Sequence, residues 1–266
     1  MKKKRIIPVL LLRNGFLVQS ISFSDYRNIG NPRQSVLRFS QWDADEIIYL
    51  DIGTDFKNNK RQDLNSPNYF NIYELLLDVS KVSRMPVTVG GGIHTLKDIE
   101  LRLTNGADKV SLNTVTREDF KFIRLASREF GSQCIVASVD YCTRNNDIFV
   151  FSHNTKEVTS KDFYDWIMQM QELGAGEIFI NDVDRDGKKT GYNIEVIKKS
   201  SDMLSIPLIA CGGASSWTDM ERVLIETNAD AVAASNIFHY MDQSIYKSRD
   251  YLFRKGLPVR QPSLSE

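Results

Sequence analysis

Pro86-Val-Thr-Val-Gly90-Gly91-Gly92-Ile93 decides the fold, because Pro207-Leu-Ile-Ala-Cys211-Gly212-Gly213-Ala214 repeats its order of proline, short apolar run and adjacent glycines. The agreement continues outward. Asp98 and Glu100 return as Asp219 and Glu221, and after one extra residue Ala107-Asp-Lys-Val-Ser111 is answered by Ala229-Asp-Ala-Val-Ala233. A short apolar run ending in glycines before a helical pattern is a strand turning into a helix, where bare N–H groups can cradle a phosphate. One copy alone reads equally well as a tight turn. Two copies roughly 120 residues apart imply a duplicated half-domain rather than a short solenoid repeat.

Working outward, apolar strand-like runs alternate with amphipathic helical stretches, the pattern of parallel βαβ units. The runs are Ile6 to Leu12, Glu46 to Ile52, Val87 to Val89, Lys109 to Asn113, Ile135 to Asp140, Glu177 to Val183, Leu208 to Ala210 and Ala231 to Ser235. Helical patterns between them include Thr95 to Leu103, Lys161 to Leu173 and Thr218 to Glu226, with acidic or hydroxyl residues near their starts. Eight such units in two matching halves close more naturally into a (β/α)8 TIM barrel than into an open doubly wound sheet. The length of 266 residues accommodates one such domain, which typically needs about 250. The expected division is two half-barrels, about 1–131 and 132–250, followed by a tail to 266.

Composition narrows the function. Lys plus Arg equals Asp plus Glu at 34 each, so no net field draws in nucleic acid and a small, locally recognised ligand fits better. Cys134, Cys142 and Cys211 are too few and scattered for a disulfide framework or zinc site, which points to a reducing compartment and buried thiols. Met1-Lys-Lys-Lys-Arg5 with Ile6 to Leu12 imitates a signal peptide but is too short and lacks a cleavage site. No stretch approaches the roughly 18 apolar residues of a membrane span, so a soluble cytoplasmic protein is expected. His94, His153 and His239 are isolated, and neither a metal nor another cofactor is expected. Trp166 and Trp217 fall in helical patterns as packing or interface residues.

In a barrel of this kind, the residues ending each strand face the active site. The polar groups there are Asp51, Asn113, Thr114, Asp140, Asn181, Asp182, Asp184, Asp186 and Ser235. Lys188 and Lys189 follow closely and read either as anion contacts or as a solvated loop tip.

From Lys4 to about His239 the chain resembles the HisF family, the cyclase subunit of imidazole glycerol phosphate synthase. The resemblance is carried by Lys4-Arg-Ile-Ile-Pro8, Arg27 and Gly30 within the stretch from Phe23 to Pro32, Tyr49-Leu-Asp-Ile52, Val89-Gly-Gly-Gly-Ile93 and Gly106-Ala-Asp-Lys-Val-Ser111 with Asn113-Thr114. It continues through Gly174-Ala-Gly-Glu177, Asp184-Arg-Asp-Gly187, Gly212-Gly-Ala214 and Ala233-Ala-Ser-Asn-Ile-Phe-His239. It implies a substrate with a phosphate at each end. One would sit at Gly91, Gly92, Asn113 and Thr114, the other at Gly187, Gly212, Gly213, Ala234 and Ser235. Asp51, Asp140 and Asp186 match acidic residues at the family's active site, and Asn181 ends a strand beside them.

The resemblance also implies a separate glutaminase subunit, docked at the opposite mouth to form a heterodimer and feeding ammonia through the core. Arg5, Glu46, Lys109 and Glu177 match its charged gate. Ordinary rim salt bridges, worth little, are the competing explanation for those four residues. Departures matter as much. Family cyclases use two aspartates as general acid and base; Asp140 occupies one position, but Leu11 occupies the other and cannot transfer a proton. Gln19 replaces a loop lysine, Cys211 replaces a serine, and the loop from Gly53 to Asn71, with Lys57, Lys60, Arg61 and Tyr69, is longer than the family leads one to expect. A long charged loop of this kind is either functional, here as a substrate cover, or disordered.

Three readings remain open. One is a cyclase of histidine biosynthesis. Another is a HisF-like paralogue serving, with a glutaminase and a sugar amidotransferase, the amidination of an N-acetyl sugar in surface polysaccharide. The third is a phosphosugar-binding barrel with no ammonia role. Leu11 and Gln19 favour the second; Asp140 and the phosphate-type loops favour the first.

Overall fold

The computed structural model describes residues 2–21, 25–53, 69–152, 155, 157–239 and 241–264. His153 and most of the long second loop, with Lys57, Lys60 and Arg61, lie outside the described residues, as does Phe23.

Eight parallel strands close on themselves: β1 (Arg5–Arg13), β4 (Ile47–Asp51), β5 (Val87–Gly90), β6 (Lys109–Leu112), β7 (Ile135–Arg144), β10 (Glu177–Asp182), β11 (Leu208–Cys211) and β12 (Ala231–Ala234). Pairing of β12 with β1 and of β7 with β10 completes the ring, so the (β/α)8 barrel expected from the sequence is the fold. Helices α1 (Pro32–Gln41), α2 (Ile72–Ser80), α3 (Leu96–Thr104), α4 (Thr114–Glu118), α5 (Phe122–Phe130), α6 (Phe163–Glu172), α7 (Ile194–Met203), α8 (Trp217–Glu226) and α9 (Ser244–Arg254) complete the βα units.

Strand alternation sorts the core into two layers. Ile7, Val9, Ile48, Val136, Phe179 and Ile209 fill the barrel interior with Ala231 and Ala233. Their neighbours Ile6, Leu10, Ile47, Ile178 and Ile180 face outward into the layer shared with the helices, which also holds Trp166 and, at its margin, Trp217.

The two copies of the opening motif fold alike. Thr95 with Asp98, and Ser216 with Asp219, form reciprocal capping boxes at the starts of α3 and α8. Asp108 accepts the Val87 N–H at 2.8 Å, and Asp230 accepts the Leu208 N–H at 3.1 Å. Each carboxylate thereby ties the start of one barrel strand to the preceding strand. A Cβ on Gly91 would lie 2.0 Å from the Asp51 carbonyl oxygen, and one on Gly212 would lie 2.7 Å from the Asp182 nitrogen. Both positions require glycine because backbone passes against backbone there.

The strand runs inferred from the sequence stop too early at β1 and β7, each of which continues into an antiparallel hairpin. After β1 come β2 (Phe16–Ile21) and β3 (Asp25–Gly30); after β7 come β8 (Asp147–Ser152) and β9 (Glu157–Asp162). Both hairpins start at a two-residue turn with two positive φ angles, Asn14-Gly15 and Asn145-Asn146. This is the geometry that matches strand twist. Tyr69, expected on the long loop, is buried and donates its hydroxyl to Asp78 of α2 at 2.7 Å.

Candidate active site

The floor of the barrel is a closed ring of charge. Arg5, Lys109 and Glu177 are the first residues of their strands and Glu46 precedes β4, so all four meet at the N-terminal mouth. Arg5 contacts Glu46 at 2.8 Å and also Glu177; Lys109 contacts Glu46 at 3.0 Å and Glu177 at 3.0 Å. Thr88 adds a hydroxyl to Glu46 at 2.7 Å. The two carboxylate side chains are 3% and 7% exposed, against 22% for Arg5 and 21% for Lys109. Burial alone would lower the Arg5 pKa, but Glu177 and then Glu46 outweigh it and raise it. These contacts form one network, so the isolated rim-pair explanation does not describe the geometry.

At the opposite mouth, Asp140 is buried on the inner face of β7. Asn113 donates to one of its oxygens at 2.6 Å and Asn181 to the other at 3.1 Å. Leu11 is buried on the inner face of β1, four strands from β7 in either direction around the ring of eight. Its register partners are Val18 and Leu50, which makes that wall apolar. Cys211 lies beside Asn181 in register, and burial, reinforced by the charges of Asp186 and Asp140, pushes its thiol well above the ordinary range. It is a neutral small side chain here, not a nucleophile.

Next to Asp140 a solvent-open cleft of about 460 Å³ gathers Asp186, Gly187, Gly212, Gly213, Ala234 and Ser235, all six singled out from the sequence for that half. Lys189 also lines it, on the exposed stretch from Lys188 to Thr190. Asp182 and Asp184, expected at the mouth, instead hold the loop above the cleft. Asp182 accepts the Asp184 and Arg185 N–H groups at 3.0 and 3.2 Å, and Asp184 accepts the Thr143 N–H at 2.7 Å from the β7–β8 hairpin.

The first-half counterpart is arranged differently. Gly90 pairs with Ser111, so Gly91-Gly92 and Asn113-Thr114 leave neighbouring strands. The Gly91 and Gly92 carbonyls are engaged by the buried Arg102 guanidinium at 2.7 and 3.1 Å. Asp51 follows Ile47 and Tyr49 on the outward-facing register of β4 and accepts the Gly53 N–H at 3.0 Å. Burial pushes its carboxyl up to about 6, against the pull of that N–H and of the Arg102 charge. Arg117, which the sequence reading passed over, reaches Asn113 and, at 3.3 Å, Thr114. Its signal was its position four residues after Asn113 on a helix, which puts the two on one face.

Among the described residues there is no group of three or more His, Cys, Asp or Glu side chains that could hold a metal ion, and no helix long and apolar enough to cross a membrane.

Comparison with known proteins agrees with this architecture. The family described as "Histidine biosynthesis protein" matches residues 5–244. The "Imidazole glycerol phosphate synthase subunit HisF" of Dehalococcoides mccartyi is 39% identical over 260 residues, spanning 98% of this chain and 99% of its own. The protein of the same name from Staphylococcus saprophyticus is 36% identical over 262 residues, spanning 98% and 100%. A Vibrio vulnificus protein named "Putative imidazole glycerol phosphate synthase subunit hisF2" is 37% identical over 263 residues, spanning 99% and 93%. Matched across almost its whole length, this chain belongs to the histidine biosynthesis protein family, on its HisF branch.

Proposed function

We propose that the chain is a HisF-like synthase subunit that takes up ammonia from a glutaminase partner at the charged floor and passes it through the barrel. The ammonia emerges at the C-terminal mouth, where a phosphorylated small molecule binds, and serves amidination of an N-acetyl sugar in surface-polysaccharide biosynthesis by a separate amidotransferase. The observation that carries this over simple cyclisation is Leu11, which stands buried in an apolar wall across the barrel from Asp140. A cyclase needs a proton donor as well as an acceptor, and a positioned acid or base contributes about 10²–10⁴-fold.

Each part has a physical task. Phosphate recognition in the second half falls to the backbone around Gly187, Gly212 and Gly213 with Ser235 and Lys189, since a dianion needs several donors at close approach. Asp186 is placed to meet a hydroxyl or amine of the ligand. At the floor, ammonia crosses as a small neutral molecule once one contact of the ring parts, and the better exposed Lys109 and Arg5 are the members free to swing. The interior it then meets is lined by Ile7, Val9, Ile48 and Ala233, which retain no charge. Division into half-barrels near residue 131 belongs to the same reading, supported by the paired capping boxes and hairpins.

The second reading is the imidazole glycerol phosphate synthase cyclase subunit, converting its phosphoribosyl carboxamide-type substrate and ammonia to imidazole glycerol phosphate and aminoimidazole carboxamide ribotide. Asp140 with its two asparagine donors favours it, as do the names of the relatives.

A labelling experiment tests the conduit. The chain is combined with a HisH-like glutaminase and its sugar amidotransferase, amide-¹⁵N glutamine is supplied in unlabelled ammonium buffer, and the product is examined. Enrichment above that of the bulk ammonium supports internal transfer. Product enriched only to the bulk level, or no complex with any glutaminase, removes the proposal.

A further inference from the structure

Asn113 sits between two groups of opposite hydrogen-bonding character. Its Oδ1 accepts from the Arg117 guanidinium, and its Nδ2 donates to Asp140 at 2.6 Å. A carboxamide keeps nearly the same shape when turned over, so packing alone does not choose which end faces the acid. Here the neighbours choose. A guanidinium only donates and a carboxylate only accepts, so reversal would set oxygen against oxygen on one side and N–H against N–H on the other.

Arg117 is itself anchored. It lies on α4, four residues from Asn113 and three from Thr114, and it donates to the Thr114 hydroxyl at 3.3 Å. No hydrogen bond or ion pair between it and Asp140 is seen among the described residues; the two charges attract at longer range, while the geometric hold on the carboxylate passes through the amide. On the far side Asn181 donates to the other Asp140 oxygen at 3.1 Å. Asp140 thus has an amide donor on each oxygen, an arrangement that suits the acceptor-only carboxylate and fixes the carboxyl plane across the mouth.

We propose that Arg117 is a positioning residue: by holding the Asn113 amide in one orientation it fixes Asp140 as a directed proton acceptor at the barrel mouth. This rests on the reading of that mouth as the place of reaction. It adds that the surviving half of the proton-transfer pair is held as a base by its surroundings, and that its alignment depends on a residue outside the glycine-rich phosphate loops.

Two measurements separate this inference from the functional reading. The first needs no substrate: side-chain amide NMR of the ¹⁵N-asparagine-labelled protein, with the Asn113 pair assigned through Asn113→Leu. In Arg117→Met, hydrogen exchange of the Asn113 side-chain amide should accelerate by about tenfold or more. Arg117→Lys, which keeps a donor and a charge, should stay within about threefold of wild type. The second is ammonium-supported turnover of the cognate substrate. Arg117→Met should lower kcat by about 10²-fold with KM changed less than about threefold, as expected for misalignment of a reacting group, and Arg117→Lys should recover most of the loss. Unchanged exchange and kcat in Arg117→Met overturn the inference, as does an Arg117→Lys variant equal to Arg117→Met in both. If wild type shows no ammonia-dependent turnover, the functional reading falls, while the exchange data still decide the role of Arg117.

Discussion

Replacing Lys109 by Met removes one corner of the floor and leaves the other three in place. Lys109 Nζ lies 3.0 and 3.1 Å from the two oxygens of Glu46 and 3.0 Å from Glu177. After the change, Arg5 alone faces two buried carboxylates. Removing one partner of a buried pair costs roughly 3–5 kcal/mol, because the orphaned charge keeps its desolvation penalty. The Lys109 side chain is 21% exposed, so water can reach the gap and the lower end applies, about 3 kcal/mol. Adding Glu177→Gln removes the surplus negative charge, and the double variant should recover about 2 kcal/mol relative to the sum of the single changes. Urea unfolding with an unchanged m-value measures both quantities. A loss below about 1 kcal/mol for Lys109→Met, with no coupling to Glu177, is what four independent rim pairs would give, and it would refute the account of the floor as one network.

Asp51→Asn should stabilise the protein above pH 6. Because burial lifts the folded-state pKa of Asp51 to about 6, its proton favours the native state at low pH, and that contribution fades as pH rises from the unfolded value through about 6. The gain from Asn is therefore absent below about pH 4 and reaches about 3 kcal/mol at neutral pH; a pH-independent difference in unfolding free energy would contradict it. Gly91→Ala and Gly92→Ala both add a side chain at positive φ, but the first Cβ would stand 2.0 Å from a carbonyl oxygen, whereas the second meets its nearest atom, of Arg102, at 3.5 Å. Thermal melts should show about 1–2 kcal/mol lost for Gly92→Ala and more than about 4 kcal/mol for Gly91→Ala. Arg249→Met removes the fully buried arginine of α9 that pairs with Asp43 and Asp45 and leaves them only the half-exposed Arg260, so it should cost about 3 kcal/mol by urea unfolding, the lower end for a broken buried pair, with the C-terminal tail that Arg260 holds to the same two aspartates becoming sensitive to protease. A tail cleaved no faster than in wild type would show that Arg260 holds it without Arg249.

The barrel was legible because its signal is redundant. Two glycine motifs, two capping acids and eight apolar runs all require the same register, and single ambiguities such as a glycine pair read as a turn are settled by the second copy. The hairpins are not legible from the apolar runs alone, although Asn14-Gly15 is a strong hairpin signal, because the run from Ile6 to Leu12 ends at a polar pair, Arg13-Asn14, that reverses the chain instead of ending the strand. Asn145-Asn146 does the same without any glycine, since asparagine tolerates positive φ.

At the site, position along a strand and the family resemblance were enough: the resemblance singles out Arg5, Glu46, Lys109 and Glu177, which stand at strand starts, and strand ends give Asp140 and Asn181 at the other mouth. Contacts made by long side chains could not. Arg102 reaches the Gly91 and Gly92 carbonyls and Arg117 reaches Asn113; each depends on a rotamer rather than on spacing. Asp182, two residues after the outward-facing Ile180, falls on the outer register and holds its own loop.

On the proposed function, the barrel mouth keeps Asp140 as a proton acceptor and lacks the donor opposite, where Leu11 stands. The most direct test of that proposal is imidazole glycerol phosphate formation by the isolated chain in saturating ammonium salt, compared with Leu11→Asp. We expect the wild-type chain to turn over more than about tenfold below an ordinary HisF cyclase, and Leu11→Asp to gain about 10²-fold or more as the missing acid is restored. Wild-type turnover within about tenfold of that cyclase, unmoved by Leu11→Asp, would contradict it.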